Sequence, residues 1–158
     1  MIKYKEKRRG GESVLSNYER DMEISKALAL AVAEKGGRAY YVGGFVRDRL
    51  MGVPNKDIDI EVHGLFPKVL EEILDTLGEK MTVGESFGVY GLKGCSIDIA
   101  MPRKEELRGK GHRDFDICVD PFLGTRKAAM RRDFTVNAMM MDVLSGEIVD
   151  EFNGKGDL

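Results

Sequence analysis

Long apolar runs are missing from this chain of 158 residues. None approaches the roughly 20 residues that a membrane span requires. No signal-peptide pattern opens the chain either: Val14-Leu15 is too short for its apolar core. Cysteine is scarce. Cys95 and Cys118 stand apart, without a CxxC or histidine spacing, and read as reduced cytosolic thiols rather than a disulfide or zinc framework. A basic excess is also lacking. The net charge is −2, so no overall positive field announces a nucleic-acid partner.

What is present is the composition of one soluble globular domain, 42% hydrophobic and 33% charged, long enough to bury a single core. The basic residues gather locally. Lys3, Lys5, Lys7, Arg8 and Arg9 open the chain as a frayed, solvated extension over residues 1–18. Arg103, Lys104, Arg108, Lys110, His112 and Arg113 form a second group, and Arg126, Lys127, Arg131 and Arg132 a third. Both adjoin acidic strands, which favours contact with phosphates.

Ser16 or Asn17 caps a predicted helix over about 19–35, stopped by Gly36-Gly37. A short apolar strand, Ala39 to Val42, runs into Gly43-Gly44, and Phe45, Val46, Leu50 and Met51 then fall on helical spacing up to Gly52 and Pro54. Asp57-Ile58-Asp59-Ile60-Glu61-Val62 alternates acid with aliphatic. As a strand it places Asp57, Asp59 and Glu61 on one face and Ile58, Ile60 and Val62 in the core. Phe66-Pro67 opens a helix to Leu77. Residues 88–92 and 96–101 read as a hairpin that carries Asp98, and 102–113 as a mobile loop. Thr125 caps a short helix through Met130, and a final strand pair, 140–144 and 147–150, turns at Ser145-Gly146.

Two adjacent carboxylates on a strand repel unless a cation lies between them. A glycine pair before a helix offers bare N–H groups to an anion. A phosphate seat beside a Mg²⁺ seat equips a chain for phosphoryl or nucleotidyl transfer. The Gly-Gly-x-Val-Arg-Asp run at Gly43 to Asp48, followed by Asp57-x-Asp59, resembles the head domain of class II CCA-adding enzymes and bacterial poly(A) polymerases. These are template-independent RNA nucleotidyltransferases of the polymerase-β-like superfamily. A second stretch, Arg131-Arg132-Asp133-Phe134-Thr135-Val136-Asn137-Ala138-Met139, resembles the same family's motif and departs from it only at Val136.

The resemblance implies an α+β polymerase-β-like head with a mixed or antiparallel sheet backed by helices, spanning 19–150, with 151–158 beginning a hinge to a neck domain. Asp57 and Asp59 would hold Mg²⁺. Asp98, the third carboxylate, would act as metal ligand or as base. Gly43, Gly44 and Arg47 would seat the triphosphate of CTP or ATP, with Arg131, Arg132, Asp133 and Asn137 gripping its phosphates or ribose. As a clamp, Arg132 should stay unpaired apart from Asp133 when no ligand is bound. Asp48 would orient a neighbour. The acceptor would be an RNA 3′ end, above all the tRNA acceptor arm, in the cytoplasm. The family's base-reading Glu-Asp-x-x-Arg motif does not follow Leu158, so the chain reads as a head fragment, inactive or unselective alone. Poly(A) addition or partial CC or A addition by the same head, and an idle nucleotide- or RNA-binding module, are the alternatives.

Overall fold

The computed structural model describes residues 16–82, 88–107, 115–132 and 134–158; the basic run at Lys3 to Arg9, residues 108–114 and Asp133 lie outside them. Among the described residues, seven strands form one sheet in the order β3-β4-β5-β2-β1-β8-β9. They are β1 Arg38–Val42, β2 Ile58–His63, β3 Lys80–Thr82, β4 Val89–Leu92, β5 Ile97–Ala100, β8 Met140–Asp142 and β9 Ile148–Val149. β2 and β5 run parallel, and the other neighbours are antiparallel. The expected mixed sheet backed by helices is the architecture found.

Helices α1 (Asn17–Glu34) and α3 (Pro67–Leu77) supply the backing. Ser16 caps α1 by accepting a hydrogen bond from the Glu19 N–H. Pro67, whose fixed φ suits the first turn, opens α3. Leu28, Ala29 and Val32 of α1 and Leu70, Ile73 and Leu74 of α3 join Ala39, Tyr41, Ile58, Ile60, Val62, Ile97 and Ile99 in the main core. Burying each large aliphatic there contributes about 1.5–3 kcal/mol. Tyr40, Val42 and Met140 project from the other face and meet Ala128 and Ala129 of α4 (Thr125–Ala129) in a smaller cluster. The sheet thus has a thickly covered face and a thinly covered one, and the acids of β2 stand on the second.

Three expectations need correction, and one strand went unread. Residues 102–113 are not a mobile loop throughout: Arg103–Leu107 forms β6 and pairs antiparallel with β7, Phe115–Val119. Arg103-Lys104-Glu105-Glu106 gives β6 almost no apolar signal, which conceals the strand in the sequence. Thr125 does not cap α4. Its hydroxyl donates to Glu151 Oε1 at 3.0 Å, and Gly124 occupies the cap position. The closing strands are shorter than expected, because Asp142 Oδ1 accepts from the N–H groups of Leu144 and Ser145 and turns the chain early. Finally, β3 has only three residues, too few for a periodic signal.

Candidate active site

Asp59 and Asp98 are register partners on the parallel strands β2 and β5, which brings their carboxylates to one edge of the thinly covered face. Asp57 lies one residue before β2 and points, by the strand's alternation, to the same side. Asp57 and Asp98 are exposed and Asp59 is half-buried. Burial chiefly, and the neighbouring Asp98 charge next, hold the Asp59 carboxyl above its ordinary range; Arg132 opposes them and Asp57 adds to them. Both causes disfavour a bare anion, and a cation placed there would remove the penalty.

Hard carboxylate oxygens fit Mg²⁺, which keeps several waters and binds through one or two carboxylates plus substrate phosphates. Among the described residues no three His, Cys, Asp or Glu side chains form a closed metal cage. An ion shared between protein and nucleotide does not require one.

β1 delivers the chain to Gly43, whose φ of 69° lies in the left-handed region open to glycine. A Cβ built on Gly43 would lie 3.6 Å from both Arg132 Nη1 and Asp59 Oδ2. The missing side chain therefore leaves a small space flanked by a cation and a carboxylate. Helix α2 (Gly44–Met51) starts at once, and Arg47 curls back over that start, with its Nη2 3.2 Å from where a Gly44 Cβ would be. Arg47 is held on two sides: Nε donates to Asp48 Oδ1 at 2.9 Å and Nη1 to Asn137 Oδ1 at 3.0 Å. Asp48 also accepts from Asn55 at 2.8 Å. Hydrogen bonds from Arg47, then Asn55, hold its carboxyl below the usual range. Asp48 is thus the orienting neighbour that the motif suggests.

Asn137 closes a short 3-10 turn, Thr135–Asn137. The turn is seated by the chain end: the Thr135 hydroxyl donates to Asp157, and Gly154 packs on the Thr135 carbonyl where any side chain would collide. Asp150 in turn accepts from the N–H groups of Gly154 and Lys155. Residues 150–157 are folded back against the second motif.

Arg131 and Arg132 follow α4 and diverge. Arg131 Nη1 donates to the Arg103 carbonyl at 3.3 Å. Arg132 does not stand unpaired: its Nη2 lies 3.8 Å from Glu61 Oε2, while its own side chain remains 36% exposed. Glu61 is a strand acid whose carboxylate is buried, so it draws the nearest guanidinium; Asp133 lies outside the described residues. Arg103, Arg131, Arg132 and Glu61 line a cleft of roughly 160 Å³. Burial and then Arg131 push the Arg103 guanidinium below its usual value, against the pull of Glu61.

His63 is the residue that sequence reasoning missed. Its Nε2 lies 2.8 Å from Glu61 Oε1, and its ring stacks edge-on against Tyr40 at 5.2 Å. The alternation that placed Asp57, Asp59 and Glu61 on one face, carried one step further, puts His63 there too.

A family model described as "Poly A polymerase head domain" matches residues 39–158. A protein of Xylella fastidiosa (strain M23), "Multifunctional CCA protein", is 36% identical over 121 residues, which is 77% of this chain and 28% of that one. The chain therefore spans less than a third of the length of the curated relatives it matches. The structure of a Bacillus stearothermophilus CCA-adding enzyme in complex with CTP aligns over 90% of this chain and 32% of its own, at 28% identity and a TM-score of 0.65. That of a Thermotoga maritima CCA-adding enzyme complexed with tRNA_CCA aligns over 85% and 30%, at 30% identity and a TM-score of 0.63.

Proposed function

Since the chain belongs to the poly A polymerase head domain family, we propose that it binds a Mg²⁺–nucleoside triphosphate and transfers the nucleotide to an RNA 3′ end, with tRNA as acceptor and CTP and ATP as donors. The observation that carries this reading is the convergence at Gly43. Asp59 and the Arg132 guanidinium flank the space at the Gly43 turn, Arg47 lies over the next residue at the helix start, and Asp98 is the register partner of Asp59 on the adjacent strand. Relatives solved with CTP and with tRNA support the choice of ligands.

Asp57 and Asp59 would hold the metal, which when bound neutralises triphosphate charge and activates the 3′ hydroxyl. Asp98, exposed beside Asp59, would join them as a ligand or accept the hydroxyl proton. The backbone at Gly43 and Gly44 seats phosphate oxygens, and Arg47, fixed by Asp48 and Asn137, presents its remaining donors to them. Arg132 would reach the same phosphates through Nη1, which lies beside Gly43. Asn137, whose Oδ1 accepts from Arg47, would turn its amide N–H groups to the ribose. Arg131, turned toward Arg103, serves phosphate more distantly, and Asp133 completes the motif. A tRNA acceptor would put this reaction in the cytoplasm. Neither Cys95 nor Cys118 is in a disulfide, and among the described residues no helix is long and apolar enough to cross a membrane.

Calorimetric titration of the chain with CTP and ATP, each with and without Mg²⁺, tests the first half. Labelled nucleotide incorporation into a tRNA ending before its CCA tests the second. Binding that needs Mg²⁺ and disappears in Asp59→Asn is expected. Affinity indifferent to both would overturn the reading.

A further inference from the structure

We infer that Glu61 is a positioning residue that aims Arg132 at the phosphate seat, with His63 holding Glu61 in place; this rests on the nucleotide-binding reading above. Glu61 and His63 are 7% and 8% exposed, deep for two polar side chains on the wet face of the sheet. A buried carboxylate persists only where its oxygens are satisfied, and here each oxygen has its own partner. Oε1 meets His63 Nε2 at 2.8 Å, and Oε2 faces Arg132 Nη2 at 3.8 Å. With Oε1 taken by the ring, Oε2 is left for the arginine.

The consequence lies at the other end of the guanidinium. That group is a rigid planar fork, so an ionic partner at one terminal nitrogen biases the direction of the second. Nη2 turns to Glu61, and Nη1 then stands over Gly43, 3.6 Å from its would-be Cβ, which is equally far from Asp59 Oδ2. The separation at Glu61 exceeds a direct hydrogen bond, so the tether directs Arg132 without competing strongly for its donors. Glu61 also tempers repulsion among Arg103, Arg131 and Arg132 in the cleft they share.

A plain structural role, two polar groups filling a hole under Tyr40, makes a different prediction. The decisive measurement is the Mg²⁺–ATP dissociation constant of the whole chain for wild type, Glu61→Gln, Arg132→Gln and the double variant. If Glu61 acts through Arg132, Glu61→Gln weakens binding about tenfold, the scale of one charge-assisted contact. It then adds nothing further once Arg132 is already Gln. Losses that multiply, or unchanged affinity in Glu61→Gln, overturn the assignment. Glu61→Asp keeps the charge on a shorter stem and carries the same comparison should Glu61→Gln fail to fold, with an intermediate loss that Arg132→Gln abolishes. Wild-type chain that binds no Mg²⁺–ATP would overturn the nucleotide reading itself, and this assignment with it.

Discussion

The two faces of β2 are made by one stretch of chain and obey opposite rules. Ile58, Ile60 and Val62 are at most 1% exposed and sit among α1, α3 and the isoleucines of β5. On the other face Asp59, Glu61 and His63 sit among charges: Glu61 and His63 are settled by partners, whereas burial and Asp98 leave the Asp59 anion penalised. The pleat separates the two jobs by a single residue. A change on one face should be read in stability and a change on the other in affinity and rate. Substitutions along β2 and at its partners can break or sharpen that division.

The largest effect belongs to Asp59. Asp59→Asn keeps the shape and removes the charge that would hold the metal, at a cost of several kcal/mol of barrier. Nucleotide transfer should fall below detection while the fold survives. Asp57→Asn should behave alike. Labelled-AMP incorporation together with a melting curve checks both, and near-wild-type transfer would remove these acids from the mechanism.

Ile60→Ala comes next and should do the converse. It leaves a hole at a position of 0% exposure, at a cost of about 2–5 kcal/mol. Urea unfolding should show that loss, while Mg²⁺–ATP affinity of the folded fraction stays put. A loss of affinity without a shift in the urea midpoint would mean that the two faces are not separable.

The β1–α2–β2 unit was legible because its signals are local. A period of two, a glycine pair and a helical spacing all lie within a few residues, and the structure places Asp59, Gly43 and Arg47 accordingly. The β6–β7 ribbon was not, since Arg103-Lys104-Glu105-Glu106 carries no apolar alternation to read. Glu61 was read onto the correct face, but its partners were invisible. Arg132 belongs to a different motif far along the chain, and no periodicity announces an ion pair between segments. Thr125 failed for a related reason: a hydroxyl fit to accept from a helix N–H instead donates to distant Glu151.

Arg132 tests the boundary between the faces, since it is partnered by a buried acid and yet exposed. Arg132→Lys keeps a charge near Glu61 but loses the fork, so KM for nucleotide should rise about tenfold, near 1.4 kcal/mol. Its melting temperature should barely move. Arg132→Ala leaves the Glu61 carboxylate with His63 alone. It should therefore also cost about 1–2 kcal/mol of stability, below the figure for a fully buried pair because the arginine is partly solvated. A large melting shift in Arg132→Lys with unchanged KM would make the residue structural.

The smallest effect has a sign that separates two acids of the same site. Burial and Asp98 raise the Asp59 carboxyl, whereas Arg47 and Asn55 lower that of Asp48. A raised carboxylate binds its proton more tightly folded than unfolded, so without metal its charge destabilises the fold above the raised value. That penalty shrinks as pH falls through it and is gone below the ordinary carboxylate value of about 3.9. A lowered carboxylate does the reverse: it contributes stability above the ordinary value and loses it as pH falls through the depressed one. In metal-free buffer near neutrality, Asp59→Asn should therefore melt slightly above wild type and Asp48→Asn slightly below it. Acidification should narrow both gaps, with Asp48→Asn converging at the lower pH. Melting series from neutral to acid pH on the two variants measure the gaps. If Asp59→Asn melts below wild type throughout, the Asp59 carboxylate is satisfied within the fold, and no cation is needed to settle it.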